Sequence, residues 1–150
     1  MPECGSGRIV TASMSVTLVN ELSEVDRLSS LVEAFGEAEG LGPESIFSVN
    51  LALDEVITNI IRYAHDDGQQ HPILVRLALD QDVLSVEVED DGRAFNPLDV
   101  PPPDIGATLD DRPIGGLGIH LVRSVMTAVE YRRENDRNVL TMKKRLTPNS

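Results

Sequence analysis

Three polar residues spaced along an apolar helix pattern are the first candidates for chemistry in this sequence. Glu55, Asn59 and Arg62 follow one another at intervals of four and three, so on a helix they are neighbours in one stripe. Glu55 offers a proton acceptor, the Asn59 side chain offers a hard oxygen ligand for a cation such as Mg²⁺, and Arg62 offers a positive charge. A solvated helix face explains the same stripe, and on this helix alone that interpretation is favoured.

Glycines grouped before a later helix pattern supply a second kind of candidate. Gly115, Gly116 and Gly118 stand where a loop becomes a helix. Small residues there let the backbone approach an anion, and the free amides at the start of a helix favour a phosphate. A plain helix cap explains one glycine well and three poorly. A Rossmann dinucleotide site does not fit, because Leu121 stands in the place of the third glycine and no strand precedes the motif.

An acidic turn closes a strand pattern between these two helices. Asp90, Asp91 and Gly92 follow the alternating apolar residues of that strand. An aspartate at this point can accept a hydrogen bond from an exocyclic amine, and a glycine leaves room for a flat ring. A common acidic turn explains the three residues by themselves. Their combination with the helix stripe and the glycine group favours a nucleotide pocket.

Hydrophobic periodicity predicts the elements that must position these residues. After a first strand come two helices, the first opened by a capping box of Ser23 and Asp26 and the second spanning residues 43–64. Two strands around a turn at 80–82 follow, then a third helix, and finally two strands around a turn at 135–136. The residues of the third helix expected to face inward are Ile119, Leu121, Val122, Val125 and Met126.

This order of elements, β-α-α-β-β-α-β-β, predicts the fold class. It is α+β, a two-layer α/β sandwich in which helices pack on one face of a mostly antiparallel sheet. Residues 98–114 lack periodicity and contain four prolines; a loop this long in a compact domain is usually functional, so we expect a lid there. Residues 1–7 are expected to be a disordered N-terminus, and residues 8–150 a single domain.

Composition restricts the classes of function. A chain of 150 residues is long enough for one domain with a sizeable core. Its net charge of −12 argues against binding to nucleic acid, because phosphate backbones favour clustered Lys and Arg. The single cysteine, Cys4, argues against a disulfide framework or a zinc site. No apolar run reaches membrane-spanning length and no signal-peptide core opens the chain, so we expect a cytoplasmic protein without membrane association.

Taken together, the three motifs resemble those of the Bergerat-fold ATPases, the group shared by histidine kinases, gyrase B, Hsp90 and MutL. Within that group the chain is most similar to the anti-sigma factor serine/threonine-protein kinases of partner-switching systems. The resemblance spans residues 10–146 and keeps the motifs in the same order. It implies the Bergerat ATP-binding fold, with ATP and Mg²⁺ as cofactors.

The resemblance also implies a role for each motif. Glu55 corresponds to the general base that acts on the attacking hydroxyl, Asn59 to the ligand of Mg²⁺, and Arg62 to a cation that reaches the phosphates. Asp90 corresponds to the residue that binds the adenine amine, with Gly92 as its glycine. The second glycine box, expected to bind the nucleotide, consists of Gly115, Gly116, Leu117 and Gly118.

Two positions depart from the family pattern, and one match is weak. Ala94 stands where the first glycine box usually has a second glycine, so its methyl group is expected to tune the pocket or the lid. Asn96 stands where an aspartate is frequent. Neither position supplies the catalytic carboxylate. Thr141 on the last strand corresponds weakly to a polar residue near the adenine.

The implied function is that of an ATP-dependent anti-sigma factor protein-serine kinase. Such a protein binds a sigma factor and phosphorylates an anti-anti-sigma (STAS-type) protein on serine; family members are often homodimers. The alternative is a non-catalytic ATP-binding regulatory interaction module in a bacterial partner-switching pathway. Glu55 favours the kinase, because a module that only binds can dispense with it. The ATPase part of a phosphorelay histidine kinase fits poorly, because the sequence lacks the dimerisation and phospho-acceptor helices.

Overall fold

The computed structural model describes residues 11–99 and 116–146, with only the backbone described at Gly116 and Leu117. The expected disordered N-terminus and most of the expected lid lie outside these residues. A 3₁₀ turn at Pro97–Asp99 ends the first described part. The helices and strands are β1 (Ala12–Val19), α1 (Ser23–Ala38), α2 (Pro43–Tyr63), β2 (Pro72–Asp80), β3 (Val83–Asp90), α3 (Gly116–Val125), β4 (Ala128–Glu134) and β5 (Arg137–Arg145).

The five strands form one sheet in the order β1-β2-β3-β5-β4, and every neighbouring pair is antiparallel. Two-residue turns close the β2–β3 and β4–β5 hairpins. Gln81 has φ 58°, and Asn135 and Asp136 have φ 53° and 63°, the left-handed backbone that such tight hairpins use. Both turns confirm the predictions, and the α+β sandwich is confirmed with them.

The hydrophobic core lies between one face of the sheet and the three helices. Strand residues on this inner face alternate with outward residues, while the helices contribute apolar stripes. Burial on a single face explains why each strand shows clean alternation in the sequence. The fully buried large side chains are Leu18, Leu28, Leu53, Ile57, Ile73, Leu77, Leu84, Met142, Val49, Val75, Val86 and Val88.

The outer face of the sheet is polar. Arg76 pairs with Glu87 at 2.6 Å and with Glu89 at 3.4 Å, and these glutamates also pair with Arg132 and Arg137. Exposed pairs of this kind contribute at most about 1 kcal/mol each. Their charged side chains interrupt the apolar residues of this face, so the face offers no continuous apolar surface to a second layer of helices. Among the described residues, no helix combines the length and the apolar character that a membrane crossing requires.

Two local predictions were wrong. Helix α1 has Leu22 as its N-cap with no side-chain cap; Glu24 instead accepts a hydrogen bond from the Val19 amide at 2.9 Å, because β1 turns into α1 within three residues. Leu121 is 38% exposed. Ile119, Val122 and Met126 define the buried stripe of α3, and Leu121 is about 200° around the helix from Ile119.

Candidate functional site

A cavity of about 270 Å³, here called the central cavity, lies between α2, the adjoining ends of β3 and β5, and the first turns of α3. Much of the exposed surface of its wall is apolar, as is typical of small-molecule sites, and several charged and amide side chains interrupt it. The cavity brings together several residues that the sequence singled out. Those that line it are Glu55, Asn59, Arg62, Asp90, Ala94 and Gly118.

Asp90 lies at the floor of the central cavity and is only 4% exposed. Its Oδ2 atom accepts hydrogen bonds from the Gly92 amide at 2.8 Å and from Asn138 Nδ2 at 3.2 Å. Burial raises the pKa of the Asp90 carboxyl above its usual range, and these two hydrogen bonds oppose the rise. Among the described residues no hydrogen bond reaches Oδ1, so that oxygen can accept one from a bound molecule.

Asn138 is a residue of this site that the sequence reasoning missed. It is 8% exposed and donates through Nδ2 both to Asp90 and to the Arg93 carbonyl, the latter at 2.8 Å. Its Oδ1 accepts from the Tyr131 hydroxyl at 2.6 Å and from the Phe95 amide at 3.3 Å. Asn138 therefore holds the acidic turn and the residues after it against β5.

Gly92 is required for a packing reason that the sequence did not reveal. A Cβ atom at this position would overlap the Ala64 Cβ and lie 2.7 Å from the Ala64 carbonyl oxygen. The Arg93 amide donates to that carbonyl at 3.1 Å, and Arg133 Nη1 donates to the Gly92 carbonyl at 2.9 Å. The glycine thus lets the acidic turn pack against the C-terminal end of α2, which brings Asp90 and the polar stripe of α2 to one cavity.

The part of the α2 stripe that holds Glu55 and Asn59 is not a solvated face. Glu55 and Asn59 are half-buried and line the central cavity one helical turn apart. A Cβ atom on Gly118 would lie 2.6 Å from Glu55 Oε2. The absence of a side chain at Gly118 therefore lets the Glu55 carboxylate approach the first turn of α3, where the helix dipole favours negative charge.

The other residues predicted for the site are partly at the cavity, partly in the turn after β3 and partly at the start of α3. Arg62 and Ala94 are exposed and line the central cavity, whereas the Asn96 Oδ1 accepts the Leu98 amide at 2.9 Å and thereby stabilises the 3₁₀ turn. Gly116 is the first residue of α3, followed by Leu117, and Gly115 lies outside the described residues.

Thr141 does not lie where the sequence placed it. The β3–β5 register pairs Asp90 with Asn138 and Glu87 with Thr141. Since successive strand residues point to opposite faces, Thr141 lies on the outer face of the sheet, away from the central cavity. The expectation that it contacts the nucleotide is corrected. The polar residue of β5 at the cavity is Asn138, and the alternation that it shares with buried Leu140 and Met142 is the signal that identifies it.

Comparison with known proteins places this architecture in a family. The sequence pattern of the histidine kinase-like ATPase domain matches residues 18–144. The serine/threonine-protein kinase BtrW of Bordetella bronchiseptica is 34% identical over 106 residues, which cover 69% of this chain and 73% of BtrW. The serine-protein kinase RsbW of Listeria monocytogenes is 29% identical over 114 residues, covering 73% of this chain and 71% of RsbW.

Solved structures show the same fold. The RsbU and RsbW domains of Rv1364c from Mycobacterium tuberculosis match with a TM-score of 0.67 at 14% identity, covering 91% of this chain but only 32% of that longer one. A histidine kinase domain from Erythrobacter litoralis matches with a TM-score of 0.52 at 18% identity, covering 85% of this chain and 62% of that one. The chain therefore belongs to the histidine kinase-like ATPase domain family, and within its sequence relatives it is similar to the serine kinases BtrW and RsbW.

Proposed function

We propose that this protein is an ATP-dependent protein-serine kinase of the partner-switching type. The observation that carries the proposal is the shared cavity. Buried Asp90 lies at its floor, and the half-buried pair of Glu55 and Asn59 lines its α2 wall. A group suited to adenine recognition and two groups suited to phosphoryl transfer therefore line the same cavity. The names of BtrW and RsbW, both serine kinases, support the same conclusion.

The central cavity suits adenine at its Asp90 end. The Oδ1 atom of Asp90 can accept a hydrogen bond from the exocyclic amine of adenine, while the apolar side chains of Val88, Ile119 and Leu140 in the cavity wall fit a flat ring. Guanine presents a carbonyl oxygen at the corresponding position, which would face the Asp90 carboxylate with no hydrogen to share. The site therefore favours ATP over GTP.

The phosphates would extend from the adenine toward Asn59 and Glu55. We assign the Asn59 side-chain oxygen as a protein ligand of Mg²⁺, which keeps several water ligands and bridges phosphates; bound there, the ion would neutralise charge on the transferring group. Arg62 at the cavity edge supplies a further positive charge. Gly116, Leu117 and Gly118 begin α3, and with Gly115 they would bring backbone amides to the phosphates.

Glu55 is assigned as the general base. In the transfer step the serine hydroxyl oxygen of a partner protein forms a bond to the γ-phosphorus, and the bond from that phosphorus to the bridging oxygen of ADP breaks. The hydroxyl proton passes to the Glu55 carboxylate. Phosphoryl transfer depends mainly on positioning and charge stabilisation, and the missing side chain at Gly118 leaves the space that the Glu55 carboxylate occupies.

The partners follow from the same family relationship. We propose that the phosphorylated protein is an anti-anti-sigma protein of the STAS type and that the kinase also binds a sigma factor, as a homodimer. Recovery of bound proteins from the native cell, with and without ATP, would identify them. Incubation of each with labelled ATP, Mg²⁺ and the kinase should then place label on a serine of the STAS-type partner, and phosphopeptide mapping would identify that serine.

The alternative function is a nucleotide-binding interaction module that transfers no phosphate. In this alternative Asp90 still binds the adenine amine, but Glu55 has no catalytic role. A wild-type protein that binds ATP and a STAS-type partner, yet leaves no phosphate on that partner, would replace the kinase proposal with this one.

A further inference from the structure

A cluster of two histidines and two aspartates lies beside the central cavity, where the loop between α2 and β2 meets the acidic turn. His71 Nε2 is 2.9 Å from Asp67 Oδ2, and His71 Nδ1 is 3.9 Å from Asp91 Oδ1. His65 Nε2 is 3.0 Å from the same Asp91 oxygen. The two imidazole rings stack with their centroids 3.4 Å apart. None of these four side chains has a role in the proposed phosphoryl transfer, and the family resemblance assigns none to them.

The donor atoms are of the kinds that bind a divalent transition metal. His65, Asp67 and His71 each offer a ligand atom, and these atoms lie within 4.8 Å of one another. Imidazole nitrogen together with carboxylate oxygen suits Zn²⁺ and similar ions, whereas Mg²⁺ and Ca²⁺ prefer oxygen alone. Two aspartates would balance the charge of a divalent ion. The side chains of His65 and His71 are 16% and 20% exposed, and metal binding would turn their rings out of the parallel stack toward a tetrahedral arrangement.

Neighbouring groups hold the cluster in position. The His71 amide donates to Asn20 Oδ1 at 2.8 Å, which ties the loop to the end of β1. The Gln69 amide donates to Asp67 Oδ1 at 2.9 Å. That hydrogen bond, followed by the one with His71, lowers the pKa of the Asp67 carboxyl. Hydrogen bonds to ligand residues of this kind orient them and strengthen metal binding.

We propose that His65, Asp67 and His71, completed by Asp91, form a binding site for a divalent transition-metal ion of the Zn²⁺ type. The ion would join the end of α2, the α2–β2 loop and the acidic turn. Asp91 is next to Asp90, and His65 itself lines the central cavity, so the metal would fix the adenine end of that cavity. The sequence argument against zinc considered only cysteine, and it therefore missed a site built from histidine and aspartate.

The test is direct titration of the nucleotide-free protein with Zn²⁺ against a chromophoric chelator, together with the visible absorption of bound Co²⁺. A Cys4→Ser background removes the single thiol. We expect one ion per chain, with tetrahedral Co²⁺ bands. His71→Ala and Asp67→Asn are two independent variants outside the cavity lining, and each should weaken Zn²⁺ binding at least about tenfold. Substitution of residues that only hydrogen-bond to metal ligands already lowers metal affinity by about that factor.

The matched control is Asp66→Asn, which removes the same charge from the neighbouring position. The Asp66 carboxylate is 90% exposed, lies 3.7 Å from Arg93 and is not one of the four proposed ligands, so its variant should keep the wild-type metal affinity. Circular dichroism verifies that each variant is folded. Equal Zn²⁺ affinity in all four proteins, or no stoichiometric binding to the wild type, would overturn the proposal. Because the titration contains no nucleotide, it leaves the kinase proposal untouched.

Discussion

At the scale of single residues, Asp90 is a carboxyl group at a position where burial disfavours its charged form. It occupies an inner-face position of β3 that continues Leu84, Val86 and Val88, all of them fully buried apolar residues. A carboxylate there loses hydration, and two hydrogen bonds to Oδ2 compensate for that loss only in part. The pKa of Asp90 is raised as a result. The fold tolerates the ionised group at a position where a neutral one would be better accommodated.

Nucleotide selectivity should depend on the Asp90 carboxylate. Asp90→Asn keeps the shape but places an amide where the adenine amine needs an acceptor, so ATP binding should weaken by about 1–3 kcal/mol. GTP should bind the wild type far more weakly than ATP, and the variant should narrow that difference. Calorimetric titration of both nucleotides with Mg²⁺ measures the effect. Equal affinity of the wild type for ATP and GTP would remove the role of Asp90 as the adenine contact.

The same substitution should change the dependence of stability on pH. Since the folded pKa of Asp90 lies above its ordinary value of 3.8, its contribution to folding is full below that value and is lost as pH rises through the folded pKa. Asp90→Asn has no such loss. Thermal unfolding followed over pH should show the variant gaining stability relative to the wild type as pH rises. A variant that loses stability relative to the wild type as pH rises would contradict this, and Asp66→Asn controls for removal of one charge.

At the scale of secondary structure elements, the site depends on how closely α2 and α3 approach. Gly118 is the contact point, because a Cβ there would lie 2.6 Å from Glu55 Oε2. In the sequence, β2 and β3 lie between these two helices. The stripe on α2 and the glycine box on α3 are nevertheless one structural unit.

Gly118→Ala should disturb transfer more than folding. The added methyl group displaces the flexible end of Glu55, so thermal stability should change little while the rate of phosphoryl transfer falls. In a Glu55→Gln background the same change should cost much less, since the general base is already absent; a double-mutant cycle measures this coupling. Ser124→Ala, at an exposed position of α3, is the control. Additive effects of the two substitutions would show that Gly118 does not act through Glu55.

Residues 98–114 remain a prediction drawn from sequence, since all but Leu98 and Asp99 lie outside the described residues. If they form a lid over the nucleotide, amide hydrogen exchange across them should slow when ATP and Mg²⁺ are added. Exchange in α1, which contributes no residue to the cavity lining, serves as the internal reference. Unchanged exchange in residues 98–114 would refute the lid and leave nucleotide binding intact.

At the scale of the whole molecule, the sequence predicted the fold well because every element leaves a local signature. The alternation of Ile73, Val75 and Leu77 marks a strand with one buried face, and Asn135 and Asp136 suit the left-handed turn that they form. Clustering of Glu55, Asn59 and Asp90 was also expected from the motifs. The pairing of β3 with β5 was not predictable, because it places Asn138 beside Asp90 although 48 residues separate them in the sequence. The opposite faces of Asn138 and Thr141, by contrast, follow from the alternation within β5, a signal that the sequence does contain.

The net charge of −12 adds a constraint on the whole molecule. In the proposed function ATP brings further negative charge, and Mg²⁺, Arg62 and the start of α3 would neutralise it locally. Positive groups near the Asp90 end serve structure, since Arg133 donates to the Gly92 carbonyl.

The most direct test of the kinase assignment compares two substitutions on one face of α2. Single-turnover transfer of phosphate from ATP to the cognate serine protein is measured for wild type, Glu55→Gln and Asn59→Ala, alongside the affinity of each for ATP with Mg²⁺. Glu55→Gln should retain ATP binding and lose transfer by roughly 10²–10⁴-fold, whereas Asn59→Ala should lose Mg²⁺-dependent binding and transfer together. Transfer by Glu55→Gln at the wild-type rate would contradict the account.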